Sequence, residues 1–292
     1  MTAPARLLAF AGVLAAAFGL AALVGSRLDV RPGEPSAVAS AEPAMAGMGG
    51  EAAHEAKGEA RVQLVRGLAV SEGGLGLELA RRSAPRGTRF GLRFRIEDDA
   101  GEPVRDFAVE HTKRMHLIVV RRDQTGFQHL HPTQRPDGSW SVPVTLRAAG
   151  SYRVFADFST RGKAYTLAGD LTVDGTVRSQ ALPAPAATTT VDGMKVALTR
   201  GASRAGAEAE LGFAVTRAGR PVAVEPYLGA RGHLVALREG DLAFLHVHPI
   251  EAAGGSEIGF AATFPTEGRY RLFLQFQHDG EVQTVAFTQE VE

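Results

Sequence analysis

Six histidines stand in a repeated order that could hold metal ions. His116, His129 and His131 precede Pro132 in the pattern H-x12-H-x-H-P, and His233, His246 and His248 precede Pro249 in the same pattern. Three neutral imidazoles suit Zn2+ or Cu2+ and leave one position of a tetrahedral ion open. The chain has no cysteine, so thiolate sites, disulfides and catalytic thiols are excluded, and any metal must be held by His, Met, Asp or Glu. In an oxidising compartment copper is the expected ion, with zinc as the alternative. Met115 could add a thioether for Cu+, and His111 and Glu110 are further candidates at the first site. At the second, Gly232, Leu228 and Tyr227 stand where Met115, His111 and Glu110 do. The two sites are therefore expected to be unequal, the first the richer.

Convergence of each triad depends on two strands. Residues 116–121 and 127–131 read as neighbouring strands joined by the loop Asp123–Gly126. Residues two apart on a strand share a face, so His129 and His131 point the same way. An even-length loop places His116 on that face too, at a Cβ separation of about 5–8 Å from the pair. An odd loop would turn it to the other face. A competing reading gives the rings a structural role, each packing like an aromatic and hydrogen-bonded to backbone.

The histidine segments belong to a longer duplication. HLIVVRRDQTGFQHLHP at 116–132 aligns with HLVALREGDLAFLHVHP at 233–249, an offset of 117 (233 minus 116). At an offset of 118, Gly150-Ser151-Tyr152-Arg153-Val154-Phe155 pairs with Gly268-Arg269-Tyr270-Arg271-Leu272-Phe273, and Ala100-Gly101-Glu102-Pro103-Val104 with Ala218-Gly219-Arg220-Pro221-Val222. Such a period is a whole domain, far longer than a solenoid repeat. Within each copy, short apolar or alternating runs (89–96, 116–120, 140–146, 152–158) are separated by turn residues such as Pro136-Asp137-Gly138. The expected fold is all-β, two tandem immunoglobulin-like or cupredoxin-like β-sandwich domains after an N-terminal hydrophobic helix. The segment Gly-x-Tyr-Arg-x-Phe fits the tyrosine that starts a late strand in immunoglobulin-like sandwiches.

The N-terminus sets the expected compartment. An uncharged run from Leu7 to Gly25 follows Arg6. It reads as a retained single-pass anchor or as a signal peptide cleaved after Ser26, and either places the rest outside the cytoplasm. The expected layout is a signal-anchor or signal peptide at 1–26, a flexible linker at 27–60, one sandwich at 61–176, a linker at 177–187 and a second sandwich at 188–292. Met45, Met48 and His54 fall in the first linker and Pro183 and Pro185 in the second. Lys+Arg and Asp+Glu both number 32, so no basic field draws the chain to nucleic acid. The Arg121-Arg122 pair reads as a solvated hairpin end. The sequence carries no phosphate loop, nucleophile elbow or His-Glu-x-x-His motif, so no enzyme is expected.

Around HLIVVRRDQTGFQHLHP the chain resembles actinobacterial secreted or membrane-anchored proteins related to the YtkA and FixH-like domains. Members of that group are labelled heavy-metal-binding or copper-resistance-like and have cupredoxin-like or immunoglobulin-like sandwiches. The resemblance rests on His116, Phe127, His129, His131 and Pro132, then His233, Phe244, His246, His248 and Pro249. It implies metal ligation by those histidines. The expected function is therefore a membrane-tethered, extracytoplasmic metal-binding protein that buffers or delivers copper. The alternative is a structural or protein-interaction module at the cell envelope.

Overall fold

A computed structural model describes residues 65–201, 203–245, 247–250 and 257–292. The expected N-terminal helix, the first linker with Met45, Met48 and His54, and His246 lie outside the described residues. Among those described, all regular elements are strands, and no helix is long and apolar enough to cross a membrane.

The first module contains β1 (Ser71–Glu72), β2 (Leu75–Leu79), β3 (Ser83–Ala84), β4 (Arg89–Asp98), β5 (His116–Arg121), β6 (Gln128–Leu130), β7 (Thr133–Gln134), β8 (Trp140–Thr145), β9 (Gly150–Thr160) and β10 (Lys163–Val173). The second contains β11 (Thr188–Val191), β12 (Met194–Arg200), β13 (Glu208–Arg217), β14 (Arg220–Pro221), β15 (His233–Arg238), β16 (Phe244–Leu245), β17 (His248–Ile250), β18 (Glu257–Thr263), β19 (Gly268–His278) and β20 (Glu281–Val291). Each module is a sandwich. In the first, the sheet β1-β2-β4-β8-β7 faces β3-β10-β9-β5-β6; in the second, β11-β12-β13-β18-β17 faces β16-β15-β19-β20. The tandem sandwich expected from the duplication is the fold observed.

Alternation explains the outer sheets. Along β4, Leu92, Phe94 and Ile96 enter the first core while Arg93 and Arg95 face out. The tyrosine corner forms twice: Tyr152 Oη donates to Ala148 O (2.9 Å) and Tyr270 Oη to Thr266 O (3.1 Å).

β5 obeys a different rule, because all six of its residues are buried. Leu117 and Val119 fill the core of their own module, whereas Ile118 and Val120 join a third cluster that spans both modules. That cluster sets Ile118, Val120, Phe155 and Ala168 against Val235, Leu237, Phe244 and Phe273. A strand covered on both faces reads as a continuous apolar run, and HLIVVR is such a run.

The contact between the modules is reciprocal. Phe127 stacks on Phe273 with ring centres 4.1 Å apart, and Phe155 meets Phe244 at 5.5 Å. Phe127 and Phe244 are repeat partners, as are Phe155 and Phe273. Each module thus presents the same patch to the other, which is the signature of a two-fold interface, here within one chain. Two segments tie the pair. Arg66–Ala69 bonds β10 on one side (Gly67 N to Thr166 O, 3.1 Å) and β16 on the other (Phe244 N to Arg66 O, 2.9 Å). Gly67 is required there, because φ is +72° and a Cβ would come within 2.8 Å of the Phe155 ring. The connection after β10 is held by the β5 hairpin end: Arg121 donates to Arg178 O (2.9 Å) and Asp123 accepts from Gln180 N (2.9 Å). Arg121 is therefore buried and paired with Asp123, which corrects the expectation of a solvated hairpin end for Arg121, while Arg122 is exposed as expected.

Phe273 is 4% exposed at this interface. Phe273→Ala is expected to cost about 3–5 kcal/mol, read by denaturant unfolding. A cost within 0.5 kcal/mol of wild type would contradict the packed interface.

Candidate metal centre

The first triad converges. In the β5–β6 pair, Leu117 lies opposite Leu130 and Ile118 opposite His129, so the even register holds and His116 shares a face with His129 and His131. One ring nitrogen from each of the three lies within 4.8 Å of the other two. The ring centres are 5.3 Å (His116–His129), 5.1 Å (His116–His131) and 4.9 Å (His129–His131) apart. The face they share is the one turned to the second module.

The hydrogen bond on the outer nitrogen decides the tautomer of His116, and the orientation of the Gln275 amide sets that of His129. His116 Nε2 lies 3.2 Å from the carbonyl oxygen of Glu110. A carbonyl only accepts, so this nitrogen carries the proton and Nδ1 carries a lone pair. His129 Nδ1 lies 2.8 Å from Gln275 Oε1, while the Gln275 amide nitrogen donates to Thr284 Oγ1 at 3.0 Å. With that amide orientation, His129 Nδ1 is the donor and Nε2 bears the lone pair. The two inner nitrogens, His116 Nδ1 and His129 Nε2, then face each other at 3.1 Å with no proton between them. His131 Nε2 is buried without a hydrogen-bond partner. Opposed lone pairs beside a buried ring nitrogen that has no partner are relieved by a cation.

A proton is a poor candidate for that cation. Burial holds His129 well below the ordinary imidazole range, and the neighbouring His116 and His131 add to this. Burial likewise lowers His116, against the raising effect of the Glu110 carbonyl. It takes His131 to about 4, with His116 contributing. An ion held at about 2.0–2.1 Å keeps tetrahedral nitrogen donors a little over 3 Å apart, the spacing His116 and His129 already have. Outer nitrogens fixed by carbonyl oxygens are the usual support of metal-bound imidazoles. The donor set fits Zn2+ or Cu2+.

Other candidates fall elsewhere. Met115 is 1% exposed in the core of the first module. Adjacent residues on a strand point to opposite faces, so its thioether is directed away from the triad and is not a ligand. The side chain of Glu110 is bonded by Ser159 Oγ, and its contribution to the site is the backbone carbonyl. His111 and His233 reach the site without joining the triad. Their rings are 5.2 Å from each other, and each is more than 6 Å from His116. His233 Nε2 bonds Tyr227 O at 3.1 Å, repeating the His116–Glu110 contact, and burial takes His233 to about 4, with His111 and His116 contributing. No second triad exists among the described residues. β17 begins at His248 and pairs with β18, opposite Ala261, so His248 is exposed on the other sheet of the second module and not beside β15.

Gln275 and Asp157 were not anticipated. They are repeat partners at an offset of 118. Asp157 lies opposite His116 in the β5–β9 ladder, accepts from Thr166 Oγ1 (2.7 Å) and lines a cavity of about 50 Å3 with His111, His116, His129 and His233. A polar residue between the apolar residues Phe155-Ala156 and Phe158, repeated between Phe273-Leu274 and Phe276, was the available signal.

A family described as a domain of unknown function (DUF8832) matches residues 69–175 and again 189–292. The chain belongs to this family. The match is to it and not to the YtkA and FixH-like domains that the histidine segment resembles. No curated protein matches. Among solved structures, the Escherichia coli adhesin FdeC is 15% identical over 77% of this chain and 66% of its own, with a TM-score of 0.27. Domains 4 and 5 of the S-layer protein SbsC are 13% identical over 76% and 98%, at 0.24. A DUF4426 family protein from Pseudomonas aeruginosa is 14% identical over 35% and 94%, at 0.28.

The lowered imidazoles make the metal-free chain pH-sensitive. Unfolded imidazoles titrate near 6.5 and folded His131 and His233 near 4, so between these values the unfolded chain binds more protons. Stability from these groups is complete above about pH 6.5 and is lost as pH falls toward 4. Thermal melts in chelator should show a Tm that drops between pH 7 and pH 5, and less so in His131→Asn. A Tm flat over that window would show that the rings are not held neutral.

Proposed function

We propose that the protein is a two-module β-sandwich that binds one borderline divalent ion, Cu2+ or Zn2+, on His116, His129 and His131, and buffers or delivers it without catalysis. The observation that carries this reading is the pair of inner nitrogens facing each other at 3.1 Å while their outer nitrogens are committed to oxygen acceptors. With Met115 turned into the core, no thioether favours Cu+, and Cu2+ is expected to displace Zn2+. Extracytoplasmic placement and a membrane anchor belong to this proposal and rest on the apolar run Leu7–Gly25. The absence of catalysis rests on the bonded Glu110 side chain and on Tyr227 at its repeat position.

A second reading is a protein-interaction or structural module at the cell envelope. What favours it is that the outer nitrogens of His116, His129 and His233 already have partners. If the Gln275 amide were reversed, His129 Nε2 could donate to His116 Nδ1 and complete the chain of bonds without an ion. The adhesin and S-layer repeats keep company with this reading by architecture alone.

Metal analysis and calorimetric titration of the purified chain with Cu2+ and Zn2+ separate the two. His129→Ala should abolish tight binding. Gln275→Leu, which leaves all three ligands in place, should weaken it by about 10–100-fold. Absence of binding in wild type, or affinity unchanged in His129→Ala, favours the second reading.

A further inference from the structure

Among the described residues, five histidines, not three, meet where the modules touch, and their spacing divides them into two groups. Two imidazoles that share a tetrahedral ion, each nitrogen about 2.0–2.1 Å from it, have ring centres about 5 Å apart. The three separations within the triad are 5.3, 5.1 and 4.9 Å. The separation of His111 from His233 is 5.2 Å. Every recorded separation between the two groups is longer: 6.2 Å for His111–His116, 6.3 Å for His116–His233 and 6.2 Å for His129–His233. His111 and His233 are spaced to share an ion with each other and not with the triad.

The backbone prepares both rings. His233 Nε2 bonds the Tyr227 carbonyl, so its lone pair is on Nδ1, as in His116. His111 occupies a two-residue turn closed by Glu110 N to Lys113 O (2.8 Å) and Lys113 N to Glu110 O (2.9 Å). Its φ is +46° and that of Thr112 is +67°. Such turns favour Asn-Gly, and a β-branched residue with positive φ is strained. The matching turn of the second module places Leu228-Gly229 at these positions. Only the first module therefore offers a histidine here, and only one such pair forms across the approximate two-fold. Asp157, whose Oδ1 is held by Thr166, lines the same cavity and supplies negative charge.

The geometry points to a second cation position, formed by His111 of the first module and His233 of the second, with Asp157 as the nearby carboxylate. It would take the same class of ion as the triad. This inference rests on the reading of the triad as a metal site. His111 is exposed and also borders a wider groove of about 600 Å3 lined by Pro226, Gly232, Pro249, Ile250 and Ile258. The second position therefore lies on the solvent side of the buried triad and provides a stage through which an ion passes between groove and triad. With two imidazoles against three, it binds more weakly and exchanges faster.

Stoichiometry tests this. The full chain is dialysed against excess Zn2+ and analysed for metal, and is loaded in parallel with Cu2+ for electron paramagnetic resonance. Wild type should retain two equivalents, and the two Cu2+ ions should show spin–spin coupling. His111→Gly, which suits the positive φ and leaves the core untouched, should retain one equivalent and lose the coupling. His233→Gln should do the same, and His129→Ala should keep the outer equivalent. One equivalent in wild type, unchanged in His111→Gly, would overturn the second position and leave the triad standing. Two equivalents in His111→Gly would also overturn it. No metal in wild type would overturn the triad reading itself.

Discussion

The packing of two equivalent sheet faces against each other is the constraint on which the rest of the structure depends. Each sandwich could bury its own core and leave β5 and β9, or β15 and β19, with one face in water. Instead both outer faces are apolar, and Phe127, Phe155, Phe244 and Phe273 interlock across them. Aromatic rings bury large areas and add pair geometry beyond area alone. This contact turns β5 into a strand buried on both sides and carries His116 out of water with it.

Burial then governs the chemistry. A histidine at the start of an exposed strand would titrate near its ordinary value and bond to water. At the interface the rings lose water, the charged forms become costly, and each polar atom needs a partner within the protein. The Glu110 and Tyr227 carbonyls and the Gln275 side chain supply partners for the outer nitrogens. The inner nitrogens are left to one another. Gln275 is the clearest case of the second module serving the first, because it fixes a ring across the boundary that neither module alone could fix.

Duplication gave both modules the same histidines, but the fold does not use them alike. In the first module β6 stays beside β5 through Leu130 and delivers His131 to the shared face. In the second, the chain leaves β15 after Leu245 and crosses to pair with β18 at His248. A strand that changes sheet changes which side chains share a cavity. The approximate two-fold also brings repeat partners together, so His116 and His233 lie 6.3 Å apart although they start equivalent strands of different modules.

Much of this was legible in the sequence. The duplication and the strands 89–96, 116–120, 140–146 and 152–158 follow from the match between the two copies, period-two alternation and turn residues, which are local properties, whereas the register that unites His116, His129 and His131 was conditional on an even-length hairpin loop and was decided by the β5–β6 pairing. The same alternation places Met115 on the face opposite His116; adjacency along the chain is not adjacency in space. What only the tertiary structure decided is which histidines meet and which module supplies their partners. The sheet switch at His248 depends on its pairing with Ala261, and the crossing of Gln275 to His129 and the meeting of His111 with His233 depend on contacts between residues more than a hundred positions apart. Such contacts are set by how two finished faces fit, and no local pattern encodes that fit. The repeated three-histidine motif was thus determined by sequence alone, and the convergence of His116, His129 and His131 at a shared interface was determined by packing.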